Sequence, residues 1–316
     1  MNGILAGLGG GIITALVTPL RRDYEIKDDI LGELLEFQLR SGVKGFFVLG
    51  TYGEGVALPA SKRMKFLEVL LEHLPSSVPV IVNVTSTSAE SSLELARHAG
   101  DAGCPVVAAM PPLFYKPDSL GLREFYRFIS KAGVPLMIYN NPGRQGYSLS
   151  VPEVEVLISD VSSIVGVKDS SGEVERIQAL VERLGDKIFV AAAKDSLIAY
   201  SLLVGAHAHV CGLCNVIPEV AVRIYEYISG NKLREALELQ SLVNRLREAV
   251  RETKLEAPAV VKELLRMRGI DVGMPVTPMR SLTKEESERL RNRIQPIIDE
   301  ISERMGGSFG WALYET

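Results

Sequence analysis

The sequence predicts a closed (β/α)8 barrel, a TIM barrel, with a C-terminal helical extension. Short apolar segments rich in β-branched residues alternate with longer segments of helical period along residues 11–217. Near-continuous apolar strands in such an alternation indicate a parallel sheet that is covered by helices. Eight βα units fit a closed barrel. A doubly wound open sheet is the alternative, but no predicted strand leads into a GxGxxG loop.

The period of the apolar residues defines each unit. The first strand, within 11–20, is apolar and β-branched, and the helix within 26–42 places Ile30 and Leu34 on one face and ends at Gly42. The other predicted strands lie within 43–50, 78–84, 104–112, 134–142, 162–172, 187–195 and 207–213. The helices after them lie within 59–74, 88–103, 118–133, 150–159, 173–185 and 196–206.

The chain from residue 218 onward shows helical period only. We therefore predict a barrel over 1–217, with a glycine-rich lead-in, and a C-terminal helical region over 218–316 that packs on the barrel. The predicted C-terminal helices lie within 218–230, 232–252, 257–269 and 284–305.

Composition excludes several classes of protein. The 316 residues are 47% hydrophobic and 23% charged, which is typical of a globular chain with a large core. The net charge is −4, with acids and bases interspersed, so no nucleic-acid partner is indicated. No apolar run approaches the roughly 20 residues of a membrane span, and the N-terminus lacks the pattern of a signal peptide. The three cysteines indicate a reducing compartment, so we expect a cytoplasmic protein.

A lone lysine, Lys168, follows the apolar run 164–167 at the end of the sixth predicted strand. Active sites of such barrels lie at the carboxyl ends of the strands. An apolar, desolvated position lowers the pKa of an ammonium group, and a neutral amine can form a Schiff base with a ketone. The alternative is an ion pair with Asp169 or another carboxylate, since structural ion pairs also perturb lysines.

Two further strand ends carry groups of interest. Tyr139 ends the fifth predicted strand, where a phenol can relay protons beside the lysine. Thr51 lies in a Gly-Thr-x-Gly turn, whose hydroxyl and backbone N–H groups can hold a carboxylate. An aromatic residue at a strand end and glycines between a strand and a helix are also common without any function.

Four motifs together identify a resemblance. The segments GTYGEG, YNNPGRQG, GVKDSSG and HVCGLCNVIPE resemble the dihydrodipicolinate synthase and N-acetylneuraminate lyase family of pyruvate-dependent class I aldolases. The similarity runs from ITALVTP to at least NVIPE, and GMPVTPMRSLTKEE resembles the family's C-terminal segment. The resemblance implies a (β/α)8 barrel with C-terminal helices, usually assembled as a homotetramer.

The resemblance also implies roles for single residues. Lys168 becomes the Schiff-base lysine for a 2-oxo acid such as pyruvate, and Tyr139 the residue that shuttles protons. Thr51 and the backbone of Tyr52 become the site for the pyruvate carboxylate. Val210 matches a position whose backbone contacts bound pyruvate.

At the aldehyde end, Arg144 matches the arginine that binds the carboxylate of the aldehyde substrate in dihydrodipicolinate synthases. The resemblance implies no cofactor and no metal, because the imine forms with the substrate itself.

Three positions depart from the family pattern. Tyr52 stands where a small hydroxyl residue is usual, and adds bulk at the pocket mouth. Phe114 aligns with a tyrosine that reaches the neighbouring subunit's relay, and Tyr115 is one residue further on. Lys194 stands within a motif that is usually Gly-x-Asp, and either binds an acidic substrate group or pairs with Asp195. These departures argue against dihydrodipicolinate synthase activity and leave the Schiff-base chemistry intact.

The segment HAHVCGLC admits a rival hypothesis. His207, His209 and Cys211 alternate, so a strand would place them on one face, and Cys214 completes a C-x-x-C. Such a set can form a zinc or redox site. Isolated motif matches are often false, however, and no second pair of ligands lies nearby in sequence.

We therefore expect a metal-independent lyase that joins or splits pyruvate and an aldehyde, similar to dihydrodipicolinate synthases. One alternative is an aldolase for 2-keto-3-deoxy sugar acids or N-acetylneuraminate-type substrates. An alternative of another class is a protein that binds pyruvate without catalysis.

Overall fold

A computed structural model of the chain describes residues 10–306, 309 and 311. Eight parallel strands form a closed barrel in sequential order, and the last strand pairs with the first. The strands are β1 (Gly11–Ala15), β2 (Gly45–Val48), β3 (Val80–Asn83), β4 (Val106–Ala109), β5 (Leu136–Asn140), β6 (Ile164–Asp169), β7 (Phe189–Ala193) and β8 (Ala208–Cys211). The predicted barrel is confirmed, and every strand lies inside its predicted segment.

Helices connect the strands. Between β1 and β8 the helices of at least six residues are Asp28–Arg40, Ala60–His73, Ala89–Asp101, Ser119–Ser130, Val151–Asp160, Val174–Leu184 and Ile198–Leu203. The sequence does not predict the short helix Pro142–Gln145, because four residues are too few to show a helical period. This short helix follows β5 directly and therefore lies at the end of the barrel where sites form.

The barrel interior is packed with side chains. Inward residues such as Phe47, Ile81, Met137, Ala191 and Val210 form a buried cluster of their own. Residues on the opposite face of the same strands join the larger core between the barrel and its helices. This alternation fixes which strand residues face the site.

Within the described residues, four α-helices follow the last strand. They span Pro218–Ser229, Leu233–Glu252, Ala257–Met267 and Lys284–Met305. The first of them packs against β1 and against the second, so this part of the chain contacts the barrel directly. The division of the chain at residue 217 stays a prediction, and residues 1–9 of the predicted lead-in lie outside the described residues.

A buried ion pair connects the C-terminal helices to the loop after β2. Lys262 Nζ lies 2.6 Å from Glu54 Oε1, and both side chains are at most 2% exposed. The Glu54 carboxylate also accepts a hydrogen bond from the backbone N–H of Val276. The loop that carries Thr51 is therefore held from outside the barrel.

The helices and the cysteines bear on the predictions about membrane spans and disulfides. Within residues 10–306, 309 and 311, no helix is both long enough and apolar enough to span a bilayer. Cys104, Cys211 and Cys214 are all buried and form no disulfide.

Candidate active site

The carboxyl ends of β5 and β6 bring Tyr139 and Lys168 side by side. The two residues are partners in the parallel ladder, and Lys168 Nζ lies 3.6 Å from the centroid of the Tyr139 ring. The Phe47 ring lies 4.4 Å from the same nitrogen and meets the tyrosine ring edge-on. Aromatic rings attract a cation that lies over their faces. We call Lys168, Tyr139 and Thr51 the floor of the site.

Lys168 is buried without a carboxylate partner. It is 3% exposed, its Nζ donates to Ser170 Oγ at 3.3 Å, and it forms no ion pair within the described part of the chain. Burial lowers the pKa of Lys168 from its usual 10.5, and the neighbouring Tyr139 phenol only partly offsets this effect. The Asp169 carboxylate lies instead 2.8 Å from Arg176 Nε. Asp169 is therefore not the ion-pair partner of Lys168 in this structure.

The Tyr139 hydroxyl lies at the centre of a short polar chain. It is 3.1 Å from Thr51 Oγ1, and Asn141 Nδ2 donates to it at 3.0 Å. Burial by itself would raise the pKa of Tyr139, but the Lys168 charge and the hydrogen bonds from Thr51 and Asn141 lower it overall. The sequence analysis does not predict a role for Asn141, although this residue stands two positions after Tyr139 in YNNP.

The Tyr52 side chain crosses the mouth of the barrel toward β8. Its hydroxyl donates to Asp195 Oδ2 at 3.4 Å. A Cβ added at Gly212 would lie 2.1 Å from the Tyr52 ring, so only glycine fits beneath it. Burial, followed by the Asp195 charge, raises the pKa of Tyr52 well above 10.0. The phenol is therefore neutral at physiological pH.

The Arg144 guanidinium is already paired. It is held by both carboxylate oxygens of Glu256, and one of the two hydrogen bonds measures 3.2 Å. The side chains are 44% and 48% exposed. Both residues line a cavity of about 360 Å³ that Thr51, Asn83 and Met110 also line. The sequence gives no sign of Glu256, which stands 112 residues away from Arg144.

Lys194 follows β7 in an unusual backbone conformation. Its φ is +81°, which favours glycine, and its aliphatic chain lies beside Gly172. Within the described residues, its ammonium group takes part in no ion pair. Asp195 does not pair with it, because that carboxylate accepts from the backbone N–H groups of Gly212 and Leu213 at 2.7 and 2.9 Å.

The remaining predicted residues lie in two different environments. Val210 on β8 is buried in the inner cluster of the barrel. Phe114 and Tyr115 are 89% and 76% exposed, and their rings meet edge-on at 4.9 Å. We call Tyr52, Arg144, Lys194 and Glu256 the rim of the site.

The C-x-x-C segment is packed into the protein. Burial raises the pKa of the Cys211 and Cys214 thiols, which disfavours the reactive thiolate. His209 faces Ser201 at 2.8 Å, and His207 stacks on Phe189. No group of three or more metal-ligating side chains occurs among residues 10–306, 309 and 311.

Comparisons with known proteins find relatives along most of the chain. The model of the dihydrodipicolinate synthetase family matches residues 9–297. The 4-hydroxy-tetrahydrodipicolinate synthase of Methanothrix thermoacetophila is 31% identical over 293 residues, covering 92% of this chain and 97% of the relative.

Solved structures extend the comparison to other reactions. The sialic acid aldolase of Ruminococcus gnavus is 25% identical, with a TM-score of 0.87, over 94% of this chain and 99% of that one. A variant of the 2-keto-3-deoxygluconate aldolase of Sulfolobus solfataricus is 25% identical, with a TM-score of 0.85, over 92% and 97% of the two chains. The chain therefore belongs to the dihydrodipicolinate synthetase family.

Proposed function

We propose that this protein is a class I aldolase that joins or splits pyruvate and an aldehyde through an imine on Lys168. The observation that supports it most directly is the buried Lys168 amine, beside the Tyr139 phenol and without a carboxylate partner. A lysine whose pKa is lowered by burial supplies the neutral amine that imine formation needs.

The reaction begins when Lys168 Nζ attacks C2 of pyruvate. The carbinolamine receives a proton on its oxygen and loses water, which leaves the imine. A proton then leaves C3, and the resulting enamine carbon forms a bond to the carbon of the aldehyde, whose oxygen takes up a proton. Water finally hydrolyses the imine to give a 4-hydroxy-2-oxo acid and free lysine. Cleavage is the same sequence in reverse.

Tyr139 is the proposed proton carrier for these steps. Its hydroxyl contacts Thr51 and Asn141, and its pKa is lowered from 10.0 by the net effect of its surroundings. A phenol whose pKa lies closer to neutrality gives and takes protons more readily. Asn141 is a positioning residue in this scheme, because it donates to the hydroxyl that moves the proton.

The pyruvate carboxylate is proposed to bind at Thr51 and the backbone of Tyr52. A threonine hydroxyl and the N–H groups of a glycine-rich turn suit a carboxylate. The backbone of Val210, at the end of the inner cluster, is proposed to contact the same molecule.

Two acceptor classes are supported by different observations. The relative from Methanothrix thermoacetophila and the presence of Arg144 favour an acceptor like that of 4-hydroxy-tetrahydrodipicolinate synthases. The aldolases for sialic acid and for 2-keto-3-deoxygluconate, together with the missing hydroxyl at Phe114, favour a sugar-derived aldehyde. Lys194 is proposed to contact an acidic group of either product.

We also propose a homotetramer in the cytoplasm, without metal or cofactor. The exposed pair Phe114 and Tyr115 is typical of a surface that another subunit covers. Three free cysteines suit a reducing compartment. Size-exclusion chromatography with light scattering measures the assembly, and a metal assay measures bound ions.

Trapping of the imine tests the proposed chemistry. Borohydride added with pyruvate should attach a reduced pyruvyl group to Lys168 and inactivate the enzyme. Peptide mass spectrometry locates the group, and labelling of Lys194 or of no lysine would refute the mechanism. A trapped adduct without turnover on any aldehyde would favour the non-catalytic alternative.

A further inference from the structure

The rim of the site contains one cation that is already neutralised by the protein itself. Glu256 accepts two hydrogen bonds from the Arg144 guanidinium, and both side chains line the cavity next to Thr51. Each group favours the charged form of the other: the Arg144 hydrogen bond lowers the pKa of Glu256, and the Glu256 hydrogen bond raises that of Arg144. The fork of the guanidinium is thus occupied by a carboxylate in the free enzyme.

The Glu256 side chain does not cap the helix that it precedes. Glu256 stands at the N-cap position of the helix Ala257–Met267, but its side chain makes no capping hydrogen bond. N-cap side chains usually accept from the first turn of their own helix. The Glu256 carboxylate reaches instead across the cavity to the helix Pro142–Gln145 that follows β5.

We propose that Glu256 determines acceptor specificity, by competing with any carboxylate of the aldehyde for Arg144. This inference rests on the proposed aldolase function. Glu256 occupies the two Nη donors at the end of the Arg144 guanidinium, the pair of donors that binds a carboxylate in parallel. A carboxylate of the aldehyde must either displace Glu256 from these donors or bind beside it along the Nε side, and in both cases it lies close to the negative charge of Glu256. Acceptors that carry hydroxyl groups in place of a carboxylate escape both costs, so the wild-type rim favours neutral polyhydroxylated aldehydes.

A matched pair of acceptors tests the inference. Glyceraldehyde and tartronate semialdehyde share three carbons and differ in a terminal CH2OH or carboxylate. The quantity to measure is the ratio of kcat/KM for tartronate semialdehyde to that for glyceraldehyde, each with pyruvate. We expect Glu256→Gln to raise this ratio about five- to tenfold, because the exposed pair that the acceptor must displace is worth about 1 kcal/mol and the repulsion by Glu256 adds to this.

The same substitution in an Arg144→Ala background separates competition from simple charge repulsion. In that background we expect Glu256→Gln to raise the ratio of kcat/KM values about threefold or less, because only the weak repulsion between Glu256 and the acceptor carboxylate across solvent is removed. Glu252→Gln is the matched control, since Glu252 forms a similarly exposed ion pair with Arg293 but does not line the cavity. It should leave the ratio unchanged.

Two results would overturn the inference. One is an unchanged ratio in Glu256→Gln, and the other is an equal gain with and without Arg144. Borohydride trapping with pyruvate alone is run on every variant, because it needs no acceptor. Absence of the adduct in the wild type would refute the proposed function, and this inference with it, whereas normal trapping with an unchanged ratio would refute the role of Glu256 only.

Discussion

The charged groups on the floor and at the rim of the site differ in burial and in pairing. On the floor, the Lys168 amine is 3% exposed, is enclosed by two aromatic rings and has no carboxylate partner in the described chain. At the rim, Arg144 is 44% exposed and is paired with Glu256. Solvent screens the interaction between Arg144 and Glu256, whereas burial lowers the pKa of the floor lysine.

This contrast separates chemistry from selectivity. On the floor, Lys168 and Tyr139 come from neighbouring strands, and the ladder between β5 and β6 fixes their positions. At the rim, Arg144 lies on the short helix after β5 and Glu256 precedes a C-terminal helix, and their long side chains meet about half exposed to water. Substitutions on the floor should therefore change rates by large factors, and those at the rim should change preferences by small ones.

The largest effect is expected for Lys168→Ala. Removal of the nucleophile leaves no group that can form the imine, so turnover should fall below detection. The assay combines product formation from pyruvate and an aldehyde with mass spectrometry after borohydride. Lys194→Ala is the matched control, because it removes the other lysine at the barrel mouth and should still give the adduct on Lys168.

The next effect is that of Tyr139→Phe, which keeps the ring and removes the proton. We expect kcat to fall by about 10²- to 10⁴-fold, with the imine still detectable. Tyr126→Phe is the matched control: Tyr126 is also buried, but its hydroxyl donates to the carbonyl of Ala109. It should leave kcat unchanged. An unchanged kcat in Tyr139→Phe would assign the proton to another group, such as Tyr52.

Stability should show the same contrast between buried and exposed charges. Lys262→Met removes the partner of buried Glu54 and should lower the free energy of unfolding by about 3–5 kcal/mol, because a buried carboxylate is left unpaired. Glu256→Gln breaks the exposed rim pair and should cost about 1 kcal/mol or less. Urea unfolding measures both, and equal losses would contradict the contrast.

The pH dependence of imine formation reports on the floor directly. Burial lowers the pKa of Lys168 from 10.5, so the amine becomes nucleophilic at a lower pH than an exposed lysine. The trapping rate should therefore rise with pH, with a midpoint below 10.5, and fall as the pH drops through the lowered pKa. Nα-acetyl-lysine trapped under the same conditions corrects for the reagent, and a midpoint at or above that of this model amine would contradict the expectation.

The sequence predicts the floor far better than the rim, for a physical reason. The strands are apolar runs of local period, so their ends, and hence Lys168 and Tyr139, are visible in the sequence. The pairing of Arg144 with Glu256 depends on how a C-terminal helix packs on the barrel. That packing brings together residues 112 positions apart and leaves no local pattern. The sequence shows that Asn141 stands near Tyr139. The direction of its side chain depends on the turn after β5, which the sequence pattern does not predict.

The smallest effects are expected at Lys194, whose φ of +81° is unfavourable for any residue with a Cβ. Lys194→Gly should raise the free energy of unfolding by up to about 1 kcal/mol, because relief of the backbone strain exceeds the entropic cost of glycine. Lys194→Ala keeps the strain and should give no gain. Both variants lose the ammonium, so both should lower the ratio of kcat/KM for tartronate semialdehyde to that for glyceraldehyde equally, by about fivefold or less. A ratio that changes in one variant alone would assign the effect to the backbone. An unchanged ratio in both variants would show that Lys194 does not affect the choice of acceptor.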